Sequence, residues 1–159
     1  LGGWPRAGRR HSGDSASGVA VNANEIWVGG YVSSGGGGFN GFDAFVRTYD
    51  TDGNLIWTRQ FGTDKRDGVK GLSADGSGVY VAGQSLGTLP DSNVGSGDAF
   101  VRKYDRQGNA LWTRQFVSDG LSGLNGTSLD GSGSGVYVVG QALISLPGQA
   151  CAASGDLHL

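Results

Sequence analysis

Polar and apolar residues alternate in short runs. In Asp43–Phe61 (DAFVRTYDTDGNLIWTRQF), Phe45, Arg47 and Tyr49 alternate with Ala44, Val46 and Thr48. Beyond Gly53-Asn54, Leu55, Trp57, Arg59 and Phe61 alternate with Ile56, Thr58 and Gln60. Two such runs around a Gly-Asn turn predict a β-hairpin, because residues of this type supply the positive φ that a tight reversal needs. Apolar groups occur on both faces of the hairpin, as expected of a sheet covered on both sides.

The hairpin recurs. Asp98–Phe116 reads DAFVRKYDRQGNALWTRQF, identical at 14 of 19 positions and offset by 55 residues (Asp43 to Asp98). Between and after the copies lie a second pair of short runs, GLSAD (71–75) with VYVAG (79–83), then GTSLD (126–130) with VYVVG (136–140). GVAVN (18–22) and IWVGG (26–30) fill the same slots earlier. Four short strands per unit of about 55 residues predict β-propeller blades rather than a solenoid. The chain is expected to be a single all-β segment, 1–159, with repeats at 1–42 (partial), 43–97, 98–155 and the start of another at 156–159. An incomplete ring of nearly three blades leaves strand edges and apolar faces open. The expectation is either a fragment of a longer chain, read also from Leu1 in place of Met, or completion of the ring by other copies.

Composition agrees with strands. Gly is abundant at 32 residues, Met is absent, and Glu25 stands alone against thirteen Asp. Such a chain is poor in helix formers and rich in turn formers. A net charge of −2 gives no concentrated basic face for nucleic acid. No apolar run approaches the roughly 20 residues of a membrane-spanning helix. One cysteine, Cys151, excludes an internal disulfide framework.

The units DAFVRTYDTDGNLIWTRQFG…GLSADGSGVYVAG and DAFVRKYDRQGNALWTRQF…GTSLDGSGSGVYVVG resemble the bacterial SBBP-type β-propeller repeat. A looser likeness is to quinoprotein-type propeller repeats, matched by Asp50, Gly53 and Trp57 and by Asp105, Gly108 and Trp112. The resemblance implies a secreted or cell-surface bacterial protein. It also implies a strand order, with the GVAVN-type strand innermost, IWVGG second, DAFV third and LWTRQF outermost. Ser17–Phe61 and Lys70–Phe116 would then be complete blades and Leu124–Leu159 a partial one.

On that phasing two sets of loops project from one ring face. Val32–Phe42, Ser85–Gly97 and Ala142–Gly155 join second to third strands; Arg9–Ser17, Gly62–Val69 and Val117–Gly123 join blades. These loops diverge while the strands hardly change, which is the pattern of a binding face on a rigid frame and equally of loop drift. The candidate binding loops carry Arg9, Arg10, His11 and Asp14, and Asp64, Lys65, Arg66, Asp67 and Lys70. They would clasp an anionic sugar or a partner's carboxylates through bidentate Arg contacts, or else form local ion pairs in solvent.

Other groups read as architecture. Trp57, Trp112, Arg59, Arg114, Tyr49 and Tyr104 recur with the unit, so Arg stacked on an aromatic, or paired with Asp43 or Asp98, is expected to stitch strands or blades together. Asp50 and Asp52 resemble a short calcium loop, but Asp105-Arg-Gln107 loses a carboxylate, so an Asp-capped turn is expected and no cofactor. His11, His158 and Cys151 sit in no nucleophile motif, and Gly35–Gly38 lacks the Lys-Ser/Thr of a phosphate loop. Asn125-Gly-Thr127 is a glycosylation sequon.

The functional expectation is a non-catalytic binding or scaffold module for a protein or carbohydrate ligand. The alternatives are a structural subunit that completes its ring as a homo-oligomer, or a segment of a propeller enzyme whose active centre lies on further blades.

Overall fold

The computed structural model describes residues 13–33, 41–90, 99–116, 123–129 and 135–141. Within them every element is a strand: β1 (Ser15–Val21), β2 (Glu25–Ser33), β3 (Phe42–Asp50), β4 (Leu55–Phe61), β5 (Asp67–Asp75), β6 (Gly78–Ser85), β7 (Ala99–Asp105), β8 (Ala110–Phe116), β9 (Gly123–Leu129) and β10 (Val136–Gln141). No helix capable of crossing a membrane occurs among the described residues.

The strands form three antiparallel sheets in sequence order, β1-β2-β3-β4, β5-β6-β7-β8 and the pair β9-β10. The strand order within each four-stranded sheet is the one expected. Both sheets begin earlier than expected, at Ser15 and Asp67. Sheets stack face to face: β5 lies against β1, β2 and β3 on one side and against β9 on the other.

The core is the seam between the first two sheets. Trp27, Ala44, Val46 and Trp57 of the first meet Val69, Leu72, Val79, Val81, Phe100 and Tyr104 of the second in one buried cluster. Aromatic rings cross the seam: Phe61 meets Phe100 edge-on at 5.5 Å, and Trp57 meets Tyr104 at 6.0 Å. Burying an aromatic side chain of this size contributes about 1.5–3 kcal/mol, so apolar burial dominates the seam.

Two departures from strict alternation recur. Thr48 pairs with Trp57 but Tyr49 with Leu55, leaving Ile56 as an extra residue; Leu111 is its counterpart in β8. The predicted single face for Leu55 through Phe61 therefore holds only from Trp57 onward. A second bulge falls in the first strand of each unit, where Ser17, Lys70 and Asn125 are the extra residues. Bulges of this kind bend a strand and re-aim side chains.

Candidate functional site

The β3–β4 turn and its repeat explain how sheets lock. Asp50 accepts hydrogen bonds from the Asn54 amide (2.7 Å), the Asn54 side chain (2.9 Å) and the Asp52 amide (3.0 Å). Asp105 is held by Asn109 in the same way, at 2.7 and 2.8 Å. These donors, the Asn side chains first, lower the pKa values of both carboxyls. Gly53 and Gly108 sit at φ 84° and 80°, as the turn requires.

The second turn seats in a socket on the first sheet. Trp57 Nε1 donates to the Arg106 carbonyl at 2.8 Å, Arg59 Nε to the Gly108 carbonyl at 2.8 Å, and Arg59 Nη2 to the Gln107 carbonyl at 3.3 Å. A Cβ on Gly108 would lie 2.9 Å from the Trp57 ring. Glu25, itself buried, accepts from Arg106 at 3.0 Å and adds an ion pair. Arg59 stacks on Trp57 at 5.5 Å; besides the carbonyls of the neighbouring sheet it reaches the Thr58 carbonyl of its own strand at 3.1 Å, while Asp43 accepts from Gln60.

The equivalent residues of the second sheet sit in a different setting. Trp112 packs on Tyr80 at 6.2 Å, and Arg114 lies exposed over Trp112 at 5.9 Å. An open hollow of about 460 Å³ lies along β8 from Ala110 to Arg114, where β4 receives the turn. Arg102 is buried at 4.7 Å from the Phe61 ring and 5.7 Å from Tyr104, and Arg47 lies 6.0 Å from the Phe45 ring.

A cavity of about 440 Å³ opens at one end of the seam. Tyr31 at the end of β2 and Phe42 at the start of β3 stand edge to face, 5.3 Å apart. Arg66 pairs with Phe42 through a parallel bridge and holds its guanidinium 5.8 Å from that ring. Its carbonyl accepts from the Leu86 amide, so the unit junction is tied to the end of β6. Gly13 closes against Phe42, where a Cβ would come within 2.6 Å of the ring.

Polar groups converge on this wall. Lys70, the extra residue of the β5 bulge, lines the cavity and makes no hydrogen bond or ion pair among the described residues. Gln84 lines it from β6. Asp67 is 3% exposed; its Oδ2 accepts from the Thr63 amide at 2.6 Å and the Thr63 hydroxyl at 2.9 Å. Its Oδ1 is buried without a hydrogen-bond partner among the described residues. An unsatisfied buried carboxylate oxygen is costly, and a bound donor relieves it.

Of the residues singled out in the sequence, Arg66, Asp67 and Lys70 come together here. Asp14 instead accepts from the Ser33 amide at 2.9 Å, and Asp64 and Lys65 lie exposed. Arg9, Arg10, His11, Cys151 and His158 lie outside the described residues, as does the Gly35–Gly38 run. Tyr31, Phe42 and Gln84 were missed. The available signal was a break in the repeat, since Tyr31 aligns with Gln84 and Phe42 with Gly97. No group of three or more metal-binding side chains occurs among the described residues.

The chain matches no protein-family model and no curated protein.

Proposed function

We propose that the chain is a non-catalytic β-propeller module of a secreted or cell-surface bacterial protein, and that it binds carbohydrate where loops of successive blades meet. The observation that carries this reading is the cavity of about 440 Å³ at the seam. Its lining takes Tyr31, Phe42, Arg66 and Lys70 from positions where the repeat is broken, beside Asp67, which matches Asp14 of the preceding unit. Ligand sites combine an apolar wall with a few convergent polar groups, and this cavity has both. Face-to-face sheets with β1, β5 and β9 as successive neighbours fit blades around an axis. The direct check is a carbohydrate microarray followed by calorimetry. Wild-type protein is expected to retain a glycan that Tyr31→Ala loses, with the variant still folded and the glycan uncleaved. Binding to no glycan, or equal binding by the variant, contradicts the proposal.

A second reading, self-assembly, is favoured by apolar groups on opposite outer faces. Val19 and Val21 are both 62% exposed on the first sheet, and Tyr137 and Val139 are 64% and 65% exposed on the third. Leu72, which aligns with Val19, is covered by the first sheet at 8% exposure, so a further unit would bury the same face there. Sedimentation velocity over a wide concentration range separates the two: a head-to-tail assembly grows with concentration, and a binding module stays at one mass.

A further inference from the structure

We propose that the outer face of the third sheet, around Tyr137 and Val139 of β10, seats the outer face of the first sheet of a second copy, around Ala16, Val19 and Val21 of β1 and Ile26 of β2. The inference rests on the self-assembly reading above and names the residues that mate. The contact continues an interface the chain already makes, since β5 stacks on the first sheet and β9 on the second. The internal seam supplies the template. Gly29 of β2 faces Val69 and Leu72 of the following sheet, and a Cβ on it would lie 2.8 Å from Val69 Cγ1 and 3.0 Å from Leu72 Cδ1. Even a methyl group is crowded there. Val139 holds the same place in the third sheet, pairing with Gly126 just beyond the β9 bulge as Gly29 pairs with Gly18 just beyond the β1 bulge. A face built like that of β5 would therefore clash with Val139, whereas the face of β1 makes room for it. In β1, Ala16 stands where Val69 does and Val19 where Leu72 does. Glycine to valine adds three carbons to one side; valine to alanine removes two from the other, and leucine to valine removes one.

A second exchange lies beside the first and agrees with it. Trp27 is wholly buried in the seam cluster with Val79, and Ala74 packs against that cluster. On the outer faces Tyr137 takes the place of Trp27, while Ile26 and Val21 take those of Val79 and Ala74. The ring shrinks on one face as the aliphatic side chains grow on the other. Exchanges that conserve total volume are the ones a packed interface tolerates. Val19, Val21, Tyr137 and Val139 are all more than half exposed in a single copy, so the two matched surfaces stand open to each other. They lie on opposite ends of the stack, which makes the contact head-to-tail.

The test is sedimentation velocity of the 159-residue chain and its variants, each checked for fold by circular dichroism. Val19→Asp blocks one face and Val139→Asp the other. Wild-type protein is expected to grow in mass with concentration and each Asp variant to stay monomeric. An equimolar mixture of the two should give a dimer and nothing larger, because each variant keeps one working face. The size match is read separately. Val19→Leu and Val139→Ala should each weaken association about tenfold, and the two together in one chain should restore it to within about threefold. Should an Asp variant lose its fold, this aliphatic pair decides. A single mass for the wild type at every concentration overturns the inference and the self-assembly reading together. Assembly that survives either Asp substitution, a mixture of folded Asp variants that forms no dimer, or an aliphatic pair that fails to restore association overturns the inference alone and places the contact elsewhere.

Discussion

Two glycines in the same turn are expected to behave differently. Gly108 lies against the Trp57 ring, whereas Gly53 has nothing within 4 Å of where a Cβ would stand. Asn tolerates positive φ better than other side chains, so it isolates the steric effect from backbone strain. Gly108→Asn is predicted to cost about 1–3 kcal/mol by forcing the turn out of its socket, and Gly53→Asn less than about 0.5 kcal/mol, by denaturant unfolding. At Asp75, burial alone would raise the pKa, but hydrogen bonds from Ser77 and Lys103 outweigh it and bring the value down to about 2. Lys103 Nζ stands 3.1 Å from Asp75 and 3.5 Å from the Tyr80 ring. A carboxyl whose folded pKa lies below its ordinary 3.8 stabilises the fold above that value, and the contribution is lost as pH falls toward 2. Unfolding at pH 7 and pH 2 should show a loss of about 1–2 kcal/mol from this group, absent in Asp75→Asn.

Among elements, the outer strands β4 and β8 carry the same LWTRQF-type sequence but do different work. Arg59 reaches the Gly108 and Gln107 carbonyls, and Arg114, among the described residues, reaches only its neighbour's, on Thr113. Arg59→Ala is therefore predicted to destabilise by about 1–3 kcal/mol and Arg114→Ala by less than about 0.5 kcal/mol in chemical denaturation. Equal effects would mean that the stitch is not where the stability lies. The hairpins and their order were legible because period-2 alternation and Gly-Asn turns are local signals. The bulges at Ile56 and Lys70 were not, since an extra residue leaves composition untouched and appears only in pairing. That Arg59 reaches across to carbonyls instead of Asp43 was hidden for a related reason: backbone acceptors have no sequence signature.

For the whole molecule, an organising difference lies between repeated and unrepeated positions. Trp57, Tyr104, Val79 and Val81 recur and make the seam; Tyr31, Phe42 and Lys70 do not recur and make the cavity. The charged half of that cavity could be read from the chain because Arg66, Asp67 and Lys70 lie close in sequence. Its aromatic half could not, because Tyr31 and Phe42 meet Arg66 only once two sheets are stacked. The central claim is that stacking, with the Asp105–Asn109 turn held on the Trp57 face. The most direct measurement is the NMR chemical shift of the Gly108 Hα protons and their nuclear Overhauser contacts to the Trp57 indole. The stacked arrangement predicts strong contacts and an upfield ring-current shift at Gly108 that Gly53 lacks. Matching shifts for the two glycines, with no contact to Trp57, would contradict it.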